Sequence, residues 1–154
     1  MTENNNNRIT AYEISTDHNR LQVGLIHQYL SQDSYWALNI PLTVVERSLQ
    51  HSLCFGVYGP DGQVGFARVI TDRATFAYLA DVFILPGHRG KGLSKQLMQA
   101  IHEHPDLQQL RRWVLFTRDA HGLYTQFGWT PVPEDMLPRM MQLHNPDVYE
   151  KRNK

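Results

Sequence analysis

Apolar positions change their spacing several times along the 154 residues, and each change predicts a different kind of element. Residues 8–14, "RITAYEI", alternate as a strand does. Ser15-Thr16-Asp17 then offers side-chain oxygens as a helix cap, and the helix that follows collects Leu21, Leu25, Ile26, Tyr29 and Leu30 on one face before "SQDSYW" ends it. Beyond Pro41, Thr43-Val44-Val45-Glu46 has the form of a capping box and predicts a short second helix to about Gln50. The texture then shifts to "LCFGVYGPDGQVGFARVITDRATFAYLADVFIL", three strands joined by a "GPDG" hairpin and a looser "TDRAT" turn, an antiparallel meander.

A third helix is expected from Lys91 to Glu103, with Leu93, Leu97, Met98 and Ile101 inward, and a strand "RWVLFT" at 112–117 after it. A helical crossover makes the strands on either side of it parallel and the connection right-handed. "DAHGLYTQFG" (119–128) reads as a last short helix stopped by Gly128, with "WTPV" and "RMMQLH" as closing strands. The expected fold class is therefore α+β: one mixed sheet with helices on both faces, in a single domain over 8–150, behind a polar leader at 1–7 whose Asn run reads as disordered.

Charge narrows the partners. Lys plus Arg and Asp plus Glu balance at 15 each, so no global basic field recommends nucleic acid or an anionic membrane. No apolar run approaches a membrane span and "MTENNNNRIT" has no secretory core, which leads us to expect a cytoplasmic protein. The one cysteine, Cys54, excludes an internal disulfide framework and a CxxC metal site; inside "LCFGVY" it reads as a buried small hydrophobe rather than a nucleophile. The eight histidines show no metal-ligand spacing, and the pair in "HEH" at 102–104 falls on different helical faces, so no metal is expected. A homodimer is left open.

The chemistry concentrates in "LPGHRGKGLSKQL", residues 85–97, where glycines enter a helix start. Glycines permit positive φ and close approach of a ligand, and a helix N-terminus presents unpaired N–H groups, so the turn suits a phosphate. A Walker loop is excluded because Gly92 is followed by Leu93 and Ser94, and a dinucleotide fingerprint fails at Lys95.

Arg89-Gly90-Lys91-Gly92-Leu93-Ser94 instead resembles the acetyl-CoA loop of the GNAT superfamily of N-acetyltransferases, [QR]-x-x-G-x-[GA], with serine at the last place. A second resemblance lies in "TRDAHGLYTQFGW": the family's N-x-x-A-x-x-L-Y-x-x-x-G-[FWY] is matched at Ala120, Leu123, Tyr124, Gly128 and Trp129, with Thr117 in place of asparagine. The order of elements over 8–144 agrees as well. The resemblance implies a GNAT-like fold with a splayed parallel strand pair and acetyl-CoA as cosubstrate. It places the backbone of Val82, Phe83 and Ile84 along the pantetheine and the N–H groups of Arg89, Gly90, Lys91, Gly92, Leu93 and Ser94 on the pyrophosphate, with Thr117 and Tyr124 nearby. It implies acetyl transfer to a primary amine of a small molecule or side chain by direct attack in a ternary complex.

By the same resemblance Tyr124 is the acid that gives a proton to the departing sulfur, or else an aromatic anchor of its helix. Asp81 is either the base or the partner of an arginine such as Arg68. Arg89 and Lys91 add attraction for an anion or are solvated loop charges, and His121 is a titratable neighbour of Tyr124 or a surface histidine. Tyr78 stands near where protein-acetylating relatives carry glutamate, which turns expectation away from histone-like acceptors. The segment 32–41 borders the acceptor side in this architecture: Tyr35 and Trp36 are candidate walls and Asp33 a candidate attractant for an ammonium, unless Trp36 only packs the segment down. Two other readings stay open, a non-catalytic acyl-CoA-binding or sensory domain and an interaction protein.

Overall fold

The computed structural model describes residues 11–152, so the leader and the start of the strand expected at 8–14 lie outside the described residues. What remains of that strand is β1, Glu13–Ser15. Asp17 does cap, its carboxylate accepting from the Asn19 amide at 2.9 Å, but what it caps is a single 3-10 turn, His18–Arg20. The first α-helix, α1, begins at Val23 and runs to Gln28, then widens into a π-helical turn over Tyr29–Asp33. Helix α2, Leu42–Gln50, starts one residue before the expected capping box. Pro41 (φ −67°, ψ 148°) leads the chain straight into the helix with no side-chain cap, which puts Thr43 inside the first turn.

Strands β2 (Leu53–Gly59), β3 (Gly62–Thr71), β4 (Phe76–Ile84) and β5 (Arg112–Leu115) complete one sheet in the order β1-β2-β3-β4-β5. Every pairing is antiparallel except β4 with β5, joined in parallel through helix α3, Leu93–Glu103. Two apolar cores sit on the two faces. On one, Leu97, Met98 and Ile101 of α3 close over Phe55, Val57, Val69 and Leu79; on the other, Ile26 and Leu30 with Val45 and Leu49 of α2 close over Cys54, Phe66 and Phe83. The α+β class with helices on both faces is thus observed.

The feature that shapes the middle of the sheet is a bulge in β4. Phe66 pairs with Phe83 and Arg68 with Ala80, so Asp81 and Val82 together oppose Ala67 alone. Asp81 takes φ 56°, the left-handed conformation that aspartate tolerates better than most residues. The β4–β5 pairing runs from Phe76↔Arg112 to Leu79↔Leu115 and stops there, so β4 continues for five residues without its parallel neighbour. The two strands part where the bulge bends one of them.

Past β5 the expectations fail in instructive ways. The strand ends at Leu115, two residues short, and the last helix before Gly128, α4, covers only His121–Thr125. Neither "WTPV" nor "RMMQLH" is a strand. Pro131 and Pro133 have no N–H to give a ladder, and residues 140–145 adopt no regular structure before a short helix, α5, Val148–Arg152.

The chain after α4 is tied back by a ring cluster. The Trp129 indole donates to His102 Nε2 at 3.0 Å, and His102 stacks on Phe127 (5.8 Å, 19°). Burial lowers the His102 pKa below its ordinary 6.5, and only the neutral ring can accept from Trp129. A depressed pKa makes this contribution to stability complete above pH 6.5 and lost as pH falls below it, through the lowered value of the folded protein. Thermal melts between pH 7.5 and 5 should show that decline, and His102→Gln, which keeps an acceptor but cannot charge, should flatten it. An equal decline in the variant would assign the acid sensitivity elsewhere.

Candidate active site

The split between β4 and β5 opens toward the glycine-rich turn. Leu85 leaves β4 with its amide bonded to Val64 O at 2.8 Å, a 3-10 turn follows at Pro86–His88, and the chain enters α3 through Gly90 (φ 76°) and Gly92 (φ 77°). No amide from Gly90 to Lys95 has a hydrogen-bond partner among the described residues; the first amide to bond back into the helix is that of Gln96, to Gly92 O. A Cβ built on Gly87, Gly90 or Gly92 meets no atom within 4 Å, so the concave side of this turn is open space. A pocket of about 220 Å³ lies there, lined by Ile84, His88, Arg89, Gly92, Ser94 and Leu123 among others. The row of free amides at a helix N-terminus fits a diphosphate, and the apolar side formed by Ile84 and Leu123 fits the chain attached to one.

The two loop cations are exposed, and each donates to a nearby group. Arg89 turns inward, its Nε donating to Ile84 O at 2.9 Å and its Nη2 to the Tyr29 hydroxyl at 3.1 Å. Tyr29 in turn stacks on Phe83 with centroids 4.0 Å apart and planes 15° apart. The π-turn at Tyr29–Asp33 thus places one ring against β4 and the loop together. Lys91 Nζ donates to the Tyr12 hydroxyl at 3.1 Å, which also meets His88 Nδ1 at 2.9 Å. Tyr29, Tyr12, His88 and Leu123 were not singled out for the site from sequence; Tyr29 reads there only as one more apolar-face residue.

Helix α4, which lends Leu123 to that pocket, carries Tyr124 next in sequence, 8% exposed and packed near Trp129. Burial first, then the neighbouring Tyr35 phenol and the Asp119 carboxylate, push its pKa above the ordinary tyrosine value, and its hydroxyl has no hydrogen-bond partner among the described residues. A neutral phenol with an unengaged proton thus sits near Tyr35 and Asp119. Thr117 spends its hydroxyl locally, accepting from the Ala120 amide at 3.0 Å to start the turn into α4. His121 is exposed and makes no side-chain hydrogen bond among the described residues.

The segment 34–40 bridges the split. Buried Ser34 pins it, donating to Leu30 O at 2.7 Å and accepting from Ala37 N at 3.0 Å, which leaves Tyr35 and Trp36 at the tip, 46% and 40% exposed. The Trp36 indole donates to Asp81 Oδ1 at 2.8 Å on β4; on the other side, Tyr35 accepts from the Arg118 amide at 3.2 Å while the Arg118 guanidinium lies 3.9 Å over its ring. The two rings meet edge to face at 5.0 Å. Trp36 is therefore not packed into the core. Of the alternatives for Asp81, the geometry realises the ion pair: Oδ2 accepts from Arg68 Nε at 2.8 Å, so both carboxylate oxygens are occupied. Asp33 is exposed and makes no ion pair among the described residues. Tyr78 sits beside Phe116, with its pKa raised by burial and by the Asp81 carboxylate. Cys54 is buried and its thiol is pushed up to about 12, which removes it as a nucleophile at neutral pH.

Known proteins with this arrangement agree on one family. A family model described as the acetyltransferase (GNAT) domain matches residues 50–131, just over half of the chain. A protein of Gibberella zeae named as an acetyltransferase is 38% identical over 133 residues, 73% of this chain and 75% of its own length. The crystal structure of a GNAT-family acetyltransferase from Xanthomonas campestris is 55% identical and superposes with a TM-score of 0.86, covering 90% of this chain and 96% of that one. Glucosamine-6-phosphate N-acetyltransferase from Arabidopsis thaliana shares the fold at 12% identity, with a TM-score of 0.61 over 87% of this chain and 97% of its own. By the family model over half of the chain and by these relatives, the chain belongs to the GNAT family of acetyltransferases.

Proposed function

We propose that this acetyltransferase acts on nitrogen, moving an acetyl group from acetyl-CoA to a primary amine that carries an apolar portion, by direct attack in a ternary complex. The observation that carries the reading is the row of amides from Gly90 to Lys95 without a partner among the described residues, with the unbonded Tyr124 hydroxyl near Tyr35, whose ring meets that of Trp36, as its support. Acetyl-CoA supplies an activated acyl group and a thiolate leaving group. The loop amides hold its diphosphate, and the backbone of Val82, Phe83 and Ile84, which has no β5 neighbour, lines the path of the pantetheine.

Tyr124 holds the proton that the leaving sulfur takes up, and its raised pKa keeps that proton in place through neutral pH. Trp36 and Tyr35 give the acceptor a flat apolar wall whose faces also attract a cation. Asp33, exposed one turn away, draws the ammonium form toward the site. Asp81 is a positioning residue in this scheme, fixing the Trp36 indole with one oxygen while Arg68 fixes the other.

The alternative of a non-catalytic acyl-CoA-binding domain gains no support from a buried phenol whose hydroxyl has no partner among the described residues. The experiment that separates the two is release of free thiol from acetyl-CoA across a panel of amines. Turnover with a subset of amines is expected; binding of acetyl-CoA with no turnover on any amine would favour the binding module.

Three substitutions probe the parts. Gly92→Val places a β-branched residue at φ 77° and a side chain in the open concavity, so acetyl-CoA binding measured by calorimetry should fall by at least tenfold while the circular dichroism spectrum persists. Unchanged binding would detach the loop from the cosubstrate. Tyr124→Phe should lower kcat by about 10²- to 10⁴-fold with little change in acetyl-CoA affinity, because the hydroxyl acts in the transition state. A wild-type rate, where chemistry limits turnover, would remove the phenol from the reaction. Trp36→Phe keeps a ring but loses the bond to Asp81, and Trp36→Ala loses both. KM for the amine should rise in that order, with KM for acetyl-CoA unchanged; parallel loss for both substrates would argue against an acceptor wall.

A further inference from the structure

Two parts of the chain are left without partners, and they are the two halves of one kind of contact. The first is the outer edge of β5. That strand ends the sheet, paired with β4 on one side and, among the described residues, with no strand on the other, and it leads into Phe116, 70% exposed. The second is the segment 140–145, "MQLHN" with Met140 before it. Met141 and Leu143 are 97% and 105% exposed, the values of side chains touching nothing, and no amide from Met141 to Asn145 is hydrogen-bonded among the described residues.

This segment is held out rather than trailing. Its upstream end is fixed where Trp129 bonds His102, and downstream Tyr149 of α5 packs against the core that contains Phe83. Pro138 and Pro146 bracket it, and no proline lies between them, so every residue from Arg139 to Asn145 retains an N–H for a ladder. Met140 already has strand-like dihedrals (φ −91°, ψ 133°).

Charge favours bringing the two together. Glu134, Asp135 and Asp147 flank the segment, and Arg111, Arg112 and Arg118 flank β5; no ion pair engages any of these six among the described residues. Acids lie at both ends of one element and arginines at both ends of the other, so opposite charges meet whichever way the strands run. Within one chain no hydrogen bond or strand pairing joins the segment to that edge among the described residues. A soluble monomer leaving both a bare sheet edge and a bare apolar segment on its surface is an aggregation hazard unless the two are covered.

We propose that residues 140–145 form an arm that adds as a strand to the free edge of β5 in a second copy of this chain, and receive that copy's arm in return at their own β5. The contact is self-complementary, so the exchange closes as a two-fold dimer and leaves neither an edge nor an arm over. Each arm then lies beside the partner's strand that runs into the acceptor side of its cleft.

Mass and amide exchange test this without reference to activity. Sedimentation equilibrium at tens of micromolar should give a dimer, and hydrogen exchange should show protection of 141–145 and of β5 that rises together with concentration. Gln142→Pro removes an N–H from the middle of the arm at an exposed position, and Leu143→Asp places a charge where an apolar side chain would be covered. Each should be monomeric, with native circular dichroism and an arm that exchanges freely. A monomeric wild-type protein would overturn the proposal, including one whose arm is protected, since that means pairing within a chain. So would a dimer that survives both substitutions.

Discussion

One extra residue in β4 organises the molecule. With Asp81 and Val82 set against Ala67, the strand turns away from β5 after Leu79, and the gap so formed is the only way a parallel pair buried between two helical layers can admit a long thin ligand. The bulge has a conformational cost, of order 1–3 kcal/mol for a non-glycine residue at positive φ. Asp81 offsets it with bonds that an unstrained residue at that place would not make: one oxygen to Arg68, the other to Trp36.

The same bulge determines what is covered above the gap. A half-buried ion pair such as Arg68–Asp81 contributes little net stability by itself, because desolvation of both charges opposes their attraction. Its value here is directional. Arg68 is further tied to Ser52 at 3.2 Å, so the carboxylate that receives Trp36 is fixed from behind, and the 34–40 segment is clamped at Asp81 on one side and at Arg118 on the other. A loop braced on β4 and on the turn that follows β5 can shape an acceptor site without being buried in the core.

Much of this was legible in the sequence, and the limits have physical causes. The meander, the crossover helix and the parallel β4–β5 pair follow from apolar spacing and from the length of the connection, which constrain topology strongly. The bulge does not appear in the spacing: Ala77 and Leu79 face the α3 side, yet beyond it Ile84 faces that side and Phe83 the other, so the alternation changes phase where "LADVFI" still reads as one strand. Tyr29 was hidden for a similar reason. Its role depends on a π-turn that rotates it onto Phe83 and Arg89, and no residue type announces such a turn.

The misreading of "RMMQLH" as a closing strand is the most informative of these differences. Strand propensity describes what a segment is suited to, whereas a strand exists only where a neighbour supplies the ladder. Here the composition is that of a half-buried strand, the prolines on either side delimit it as one, and the neighbour is missing from its own chain. At residues 90–95 the relation is reversed: amides without a partner among the described residues border open space that suits an anion. Both places obey the same rule, that backbone polar groups left bare by the fold are satisfied by something. The difference lies in what surrounds them, an open polar concavity fitting an anion in one case and exposed methionine and leucine fitting another sheet edge in the other.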